Sequence, residues 1–199
     1  MNIENHKYHH GNLRDEILTA AYNFVLENGY AAMSLRSIAE NCNVSATAIY
    51  RHYKTKEHLL ADVVVKGFIE FNLFVEGDSE ANIFDKCDNY LEFAFDNKNI
   101  YDLLFSQSVV EFLQFPNILE VADSSFQTLL ESVKEHDRSL NDLSASNKAI
   151  HIWSFLHGIS SISKKMDVAL SLPDSEMPIP VRSVKRARSN LRQFIEDLF

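Results

Sequence analysis

Residues 34–60 read SLRSIAENCNVSATAIYRHYKTKEHLL, and this stretch decides the fold. Ser34 stands before an apolar stripe, Leu35, Ile38, Ala39 and Cys42, at helical spacing. A serine there is a good N-cap, because its hydroxyl accepts an otherwise orphaned backbone N–H. After about two turns comes Asn41-Cys42-Asn43-Val44. Ser45 then caps a second short helix, Ala46 to about Tyr53, and Thr55 caps a third from Lys56. Two short helices on a tight turn are the physical content of a helix-turn-helix.

Three positions decide whether such a pair can pack. Ala39 lies inside the first helix, where only a small side chain lets the second approach. Asn43 falls where the turn needs φ > 0, and Asn is the next best residue there after Gly. Ile49 falls six residues further on, where it would plug the angle between the helices. With Ile49 and Tyr53 facing inward, Ala46, Thr47, Tyr50 and Arg51 face outward. The small residues Ser45 and Ala46 at the helix start would let the backbone sit deep in a major groove. Thr47 suits a base edge or a thymine methyl. Tyr50 and Lys54 suit phosphates, which set register without carrying sequence code. Arg51 suits either.

Working outward, Ile17, Ala21, Phe24 and Val25 form the stripe of a preceding helix. Asn28-Gly29 stops it, with Gly29 expected in a left-handed cap. The first thirteen residues, MNIENHKYHHGNL, lack periodicity and read as an arm. Downstream, Leu59, Val63, Phe68, Phe71 and Val75 predict a long helix closed by Gly77-Asp78. Helices are expected near 80–97 and 99–114, from Pro116 to about Glu135, at about 145–170 and at about 181–198. LSLPDSEMPIP holds three of the four prolines and is read as a loop. The expected fold is all-α with about nine helices: an arm (1–13), a three-helix helix-turn-helix domain (14–58), and a helical bundle (59–199).

Net charge is −9, an odd balance for a DNA binder, but its distribution matters more. Residues 1–60 carry six Lys/Arg and six Asp/Glu; residues 61–199 carry all of the excess acid. A neutral head on an acidic body would be oriented head-first toward a polyanion. Cys42 and Cys87 fit neither a disulfide framework nor a zinc site. His6, His9 and His10 lack a fourth ligand and a rigid support, so no metal is expected. Without a charged-then-apolar leader or about 18 consecutive apolar residues, the expected location is the cytoplasm, away from membrane. Gly-x-Ser-x-Gly, Walker and His-Glu-x-x-His motifs are absent, and His151 and His157 fall on different helix faces. No enzyme and no cofactor are expected.

YHHGNLRDEILTAAYNFVLENGYAAMSLRSIAENCNVSATAIYRHYKTKEHLL, residues 8–60, resembles the DNA-binding domain of the tetracycline-repressor (TetR) family. The resemblance implies that Ser34 and Arg36 touch phosphate, that Thr47, Tyr50 and Arg51 contact bases, and that Lys54 and Lys56 hold the DNA backbone. Asn43 departs from the Gly often found there. Lys7-Tyr8-His9-His10-Gly11 resembles an arm of a large subgroup, either lying along DNA or serving as a plain tail.

Trp153-Ser-Phe-Leu-His157-Gly158 resembles the Trp…His-Gly pattern of WHG-type C-terminal domains in TetR relatives. Trp153 and His157 share a helix face. Gly158 costs about 1 kcal/mol mid-helix, which a close helix crossing would offset. Ten of fourteen Phe residues lie between Phe68 and Phe126. They fit plain core or the walls of an apolar ligand cavity. Phe93, Phe105, Phe112, Phe126, Trp153 and His157 are the candidate ligand contacts, although His157 reads first as a hydrogen-bonded core imidazole and only second as a ligand contact. The resemblance also implies a homodimer through the 145–170 and 181–198 helices. It makes residues 59–199 the helical ligand-binding and dimerisation domain. Phe194, Ile195, Leu198 and Phe199 at the chain end are expected to be exposed unless something covers them. A two-fold dimer implies a near-palindromic double-stranded operator. The expected function is a regulator, in this family usually a repressor, released by a small-molecule effector. Control by a protein partner is the alternative.

Overall fold

The computed structural model describes residues 13–105 and 115–199. Eleven α-helices and one 3-10 turn make up the regular structure of these residues: α1 Leu13–Asn28, the 3-10 turn Tyr30–Ala32, α2 Leu35–Asn41, α3 Ala46–Tyr50, α4 Lys56–Glu76, α5 Ile83–Asp96, α6 Lys98–Phe105, α7 Pro116–His136, α8 Asp142–Lys165, α9 Asp167–Leu170, α10 Ile179–Ser189 and α11 Leu191–Glu196. Two compact units divide them, one within 1–67 and 99–118, the other within 68–98 and 119–199. No described helix is long and apolar enough to cross a membrane.

In the first unit, Ile17, Ala21 and Val25 of α1 are fully buried, as their spacing predicts. Tyr22 is buried beside them, and the Lys66 ammonium lies 5.0 Å from its ring centroid. Gly29 has φ +78° but ψ 155°. This is the extended positive-φ region, which is nearly exclusive to Gly, and not the left-handed cap expected. The chain therefore leaves α1 extended and turns through Tyr30–Ala32 before α2. Gly67 of α4 permits a close approach: a Cβ there would lie 3.0 Å from Leu104 and 3.3 Å from Ile100 of α6. Asn99 donates to the Leu26 carbonyl at 3.0 Å and ties α6 to α1.

In the second unit, Phe71 packs edge-to-face on Tyr90 and Phe93, with centroids 5.3 and 5.1 Å apart. Asn82 caps α5 through a reciprocal pair with Asp85, and Asn141 caps α8. The structure divides two helices that periodicity alone runs together. The 145–170 segment starts earlier, at Asp142, and breaks at Met166, whose amide turns back to both Ile162 and Ser163 carbonyls. The 181–198 segment breaks at Asn190 (φ −126°, ψ 36°). Pro180 falls inside the first turn of α10, where its missing N–H costs nothing, so the proline-rich loop ends two residues sooner than composition suggests. Ile195 is fully buried by its own chain and Leu198 partly so, whereas Phe194 and Phe199 stay exposed. Phe194 stacks on Phe155 at 5.6 Å.

Candidate nucleic-acid interface

The turn between α2 and α3 has the geometry its residues predict. Asn43 sits at φ +54°, and among the described residues it is the one non-glycine residue at positive φ. The Val44 amide donates to the Ala39 carbonyl at 3.0 Å, closing the turn. Ala39 is 3% exposed and Ile49 is fully buried, so the small residue and the plug meet the interior as the pattern requires. Ser34 accepts from the Ser37 amide, and the Ser37 hydroxyl accepts from the Ser34 amide, a capping box built from two serines. Ser45 accepts from the Ala48 amide at 3.2 Å.

Helix α3 is shorter than the Ala46 to about Tyr53 expected. It ends at Tyr50, and a turn in which the His52 and Tyr53 amides both bond the Ile49 carbonyl brings Tyr53 into the core at 2% exposure. This turn leaves the outward face intact: Ser45, Ala46, Thr47, Tyr50, Arg51 and Lys54 are all exposed, with Tyr50 55% open to solvent. A large aromatic ring left this open on a helix of only five residues is unusual in an otherwise well-covered domain.

The flanking candidates are also on the surface. Ser34 and Arg36 are exposed at the start of α2, and the Arg36 guanidinium meets Glu40 at 3.2 Å. An exposed pair of this kind contributes about 0–1 kcal/mol, so it gives way readily to a phosphate. Lys56 is half-buried and donates to the Ala31 carbonyl at 3.4 Å. Lys7, Tyr8, His9 and His10 lie outside the described residues.

One arrangement was not legible in the sequence. A single carboxylate oxygen of Asp62 on α4 accepts from the Tyr53 hydroxyl and from Arg14 of α1, each at 2.9 Å. The Arg14 guanidinium also lies 5.6 Å from the Tyr53 ring centroid. Three helical segments thus meet at the residue that ends the turn after α3. Burial pushes the Tyr53 hydroxyl up to about 12, and its bond to Asp62 acts in the same direction. Tyr53 and Asp62 keep Arg14 firmly protonated. Because Arg14 and Asp62 are 48 residues apart, no local spacing signals the pair.

The candidate ligand contacts divide between the units. Phe105 belongs to the first unit and tilts against Tyr101 at 4.7 Å. Phe93, Phe126, Trp153 and His157 belong to the second, and Phe112 lies outside the described residues. Phe93 is 3% exposed and packs edge-to-face on Phe71 and Phe74. Phe126 is half-buried beside a groove along α7 shared with Glu120, Asp123 and Glu131. Trp153 and His157 stack with centroids 5.6 Å apart and planes 19° from parallel. Burial lowers the His157 pKa below its ordinary value, favouring the neutral ring. No group of three or more potential metal ligands occurs among the described residues. Around Gly158, nothing lies within 4 Å of where a Cβ would be, so the expected close crossing is not made among the described residues.

Comparison with known proteins agrees with this geometry. Residues 17–63 match the family described as bacterial regulatory proteins, tetR family. Residues 83–176 match a tetracyclin repressor-like C-terminal domain. No curated protein matches the chain by sequence. Among solved structures, a protein with unknown function from Rhodococcus sp. RHA1 superposes with TM-score 0.67 at 21% identity, covering 93% of this chain and 96% of that one. The transcriptional regulator FadR from Bacillus subtilis, in complex with stearoyl-CoA, superposes with TM-score 0.61 at 20% identity, covering 88% and 97%. A TetR-family regulator from Rhodococcus sp. gives 0.63 at 18%, covering 93% and 97%. At these identities the likeness is one of fold. The two family matches, one over the exposed helix-turn-helix and one over the helical body, place the chain in the TetR family of DNA-binding transcriptional regulators.

Proposed function

We propose that this protein binds a near-palindromic operator as a homodimer, with residues 14–58 gripping DNA, and that a small molecule bound within residues 59–199 releases it, so that it acts as a repressor in the cytoplasm. The observation that carries the DNA-binding part is the outward face of α3. Thr47 and Tyr50 on α3, and Arg51 at its C-cap, stand exposed on an element pinned from behind by the fully buried Ile49. Thr47 reads a base edge; Tyr50, Lys54 and Arg36 hold phosphates; Arg51 serves either purpose.

The dimer reading rests on α8. Leu143, Ile150 and Ile162 are exposed at helical spacing, and the open Gly158 lies on the same stripe. Ile179 of α10 is 72% exposed as well. A two-fold pairing over such a surface would present two copies of α3 about one DNA turn, ~34 Å, apart. The ligand reading has support by analogy: FadR from Bacillus subtilis, of the same fold, was solved with stearoyl-CoA. A ligand shifts the balance only if it binds the released conformation more tightly.

The test begins with selection of binding sites from random DNA and proceeds to affinities over a range of salt. Tyr50→Ala and Lys54→Ala are expected to weaken binding to every sequence and to reduce the salt slope by about one per lost phosphate contact. Thr47→Ala is expected to relax base preference at one position per half-site. Unchanged binding in all three variants refutes the assignment of α3. Effectors that bind the body without changing operator affinity refute the release mechanism.

A further inference from the structure

The second unit contains a polar defect that the DNA-binding reading does not use. Ser160 and Ser163 are both buried on α8, at 0% and 2% exposure. The Ser160 hydroxyl donates to the Leu156 carbonyl one turn back at 2.9 Å, the usual solution for a helical serine. The Ser163 hydroxyl has no hydrogen-bond partner among the described residues. A buried hydroxyl left without a partner is costly, so its retention calls for an explanation.

Ser163 lines a cavity of about 140 Å³ together with Phe95, Lys98, Lys164 and Arg188. At about 30 Å³ per water molecule, that is room for a group of several heavy atoms. Three of its five lining side chains are cationic, in a body where acids outnumber bases. Their positions are set by the fold. Lys164 donates to the Lys98 carbonyl at 3.2 Å, and the Arg188 guanidinium lies 3.8 Å from the Phe95 ring centroid. A larger cavity of about 450 Å³ shares Phe95 and Arg188 and is otherwise walled partly by Leu91 and Leu170. Asp88 and Lys185 line it too, and Lys185 is paired with Asp174 at 2.7 Å. The Asp88 carboxylate disfavours an anion at that end, whereas the Ser163 end offers a hydroxyl donor among cations.

We infer that this region between α5, α8 and α10 is a binding site for a small oxyanion, a phosphate or a carboxylate, whose apolar remainder lies against Leu91, Phe95 and Leu170. The Ser163 hydroxyl donates to the anion, and Arg188 and the two lysines balance its charge. The site is separate from Phe93, Phe126, Trp153 and His157, and it stands or falls independently of operator release.

Titration calorimetry on the full-length protein tests it, with inorganic phosphate and hexanoate as probes at constant ionic strength. At least one is expected to bind at one site per chain, and the tighter of the two identifies the source of the anion. Loss of a charge-assisted hydrogen bond is expected to weaken that binding about tenfold in Ser163→Ala, and Arg188→Gln is expected to do so by at least as much. Without anion, Ser163→Ala is expected to melt at a higher temperature than the parent, because it removes the orphaned hydroxyl. Failure of both probes to bind, unchanged affinity in Ser163→Ala, or a lower melting temperature for that variant would each overturn the assignment.

Discussion

Replacing Tyr53 with Phe removes one oxygen from the structure and leaves the ring in place. The lost group is a buried hydroxyl that donates to Asp62 at 2.9 Å. A hydrogen bond to a charged acceptor contributes about 1.5–3 kcal/mol. Asp62 retains Arg14, with which it makes a partly exposed pair, so the carboxylate is not orphaned and the lower half of that range applies. A second measurement isolates the hydroxyl. Its ordinary value is 10.0, and in the fold it is raised to about 12. A raised value means that the neutral form is favoured by folding. The corresponding stability is complete below pH 10.0 and is lost as pH climbs through about 12. At pH 11, halfway through that window, the loss amounts to about 1.4 kcal/mol. Urea unfolding followed by circular dichroism at pH 8 and pH 11 reads both quantities. Tyr53→Phe is expected to be less stable by about 1.5–2 kcal/mol at pH 8. The gap is expected to close by about 1.4 kcal/mol at pH 11, because the variant has no proton there to lose. Equal stability at pH 8, or a gap that does not change with pH, would refute the account of Tyr53 as the donor that ties the turn after α3 to α4.

Other substitutions probe the backbone and the proposed surfaces. Asn43→Gly is expected to hold or raise thermal stability, whereas Asn43→Val, forced into φ +54°, is expected to lower it by about 1–2 kcal/mol. Gly29→Ala is expected to cost about 1–3 kcal/mol in urea unfolding, since its backbone region is nearly closed to residues with a Cβ. Ile49→Ala should cost about 2–5 kcal/mol and weaken binding to all DNA sequences alike, checked by melting and by gel shift. Gly158→Leu should leave the monomer's melting unharmed, because the site is open among the described residues, while sedimentation shows a weakened dimer. A stable dimer in that variant counts against pairing through this stretch of α8.

The local grammar of this protein is written in residues a few positions apart. Ser34 and Ser45 as caps, Ala39 and Ile49 as the contact between two helices, and Asn43 at positive φ all act within one or two turns, and each could be read without knowing the rest of the chain. Helix capping, periodicity and turn strain are short-range effects, so a sequence exposes them directly. Amphipathic spacing likewise announced which face of the last helices is apolar. What covers that face depends on where distant segments close, and there Ile195 proved to be buried by its own chain while Gly158 faces open space. The same holds for the meeting of Arg14, Tyr53 and Asp62, for the separation of Phe105 from Phe93 into different units, and for the orphaned hydroxyl of Ser163. Burial and hydrogen-bond pairing across tens of residues are set by chain closure, and no repeat spacing encodes them.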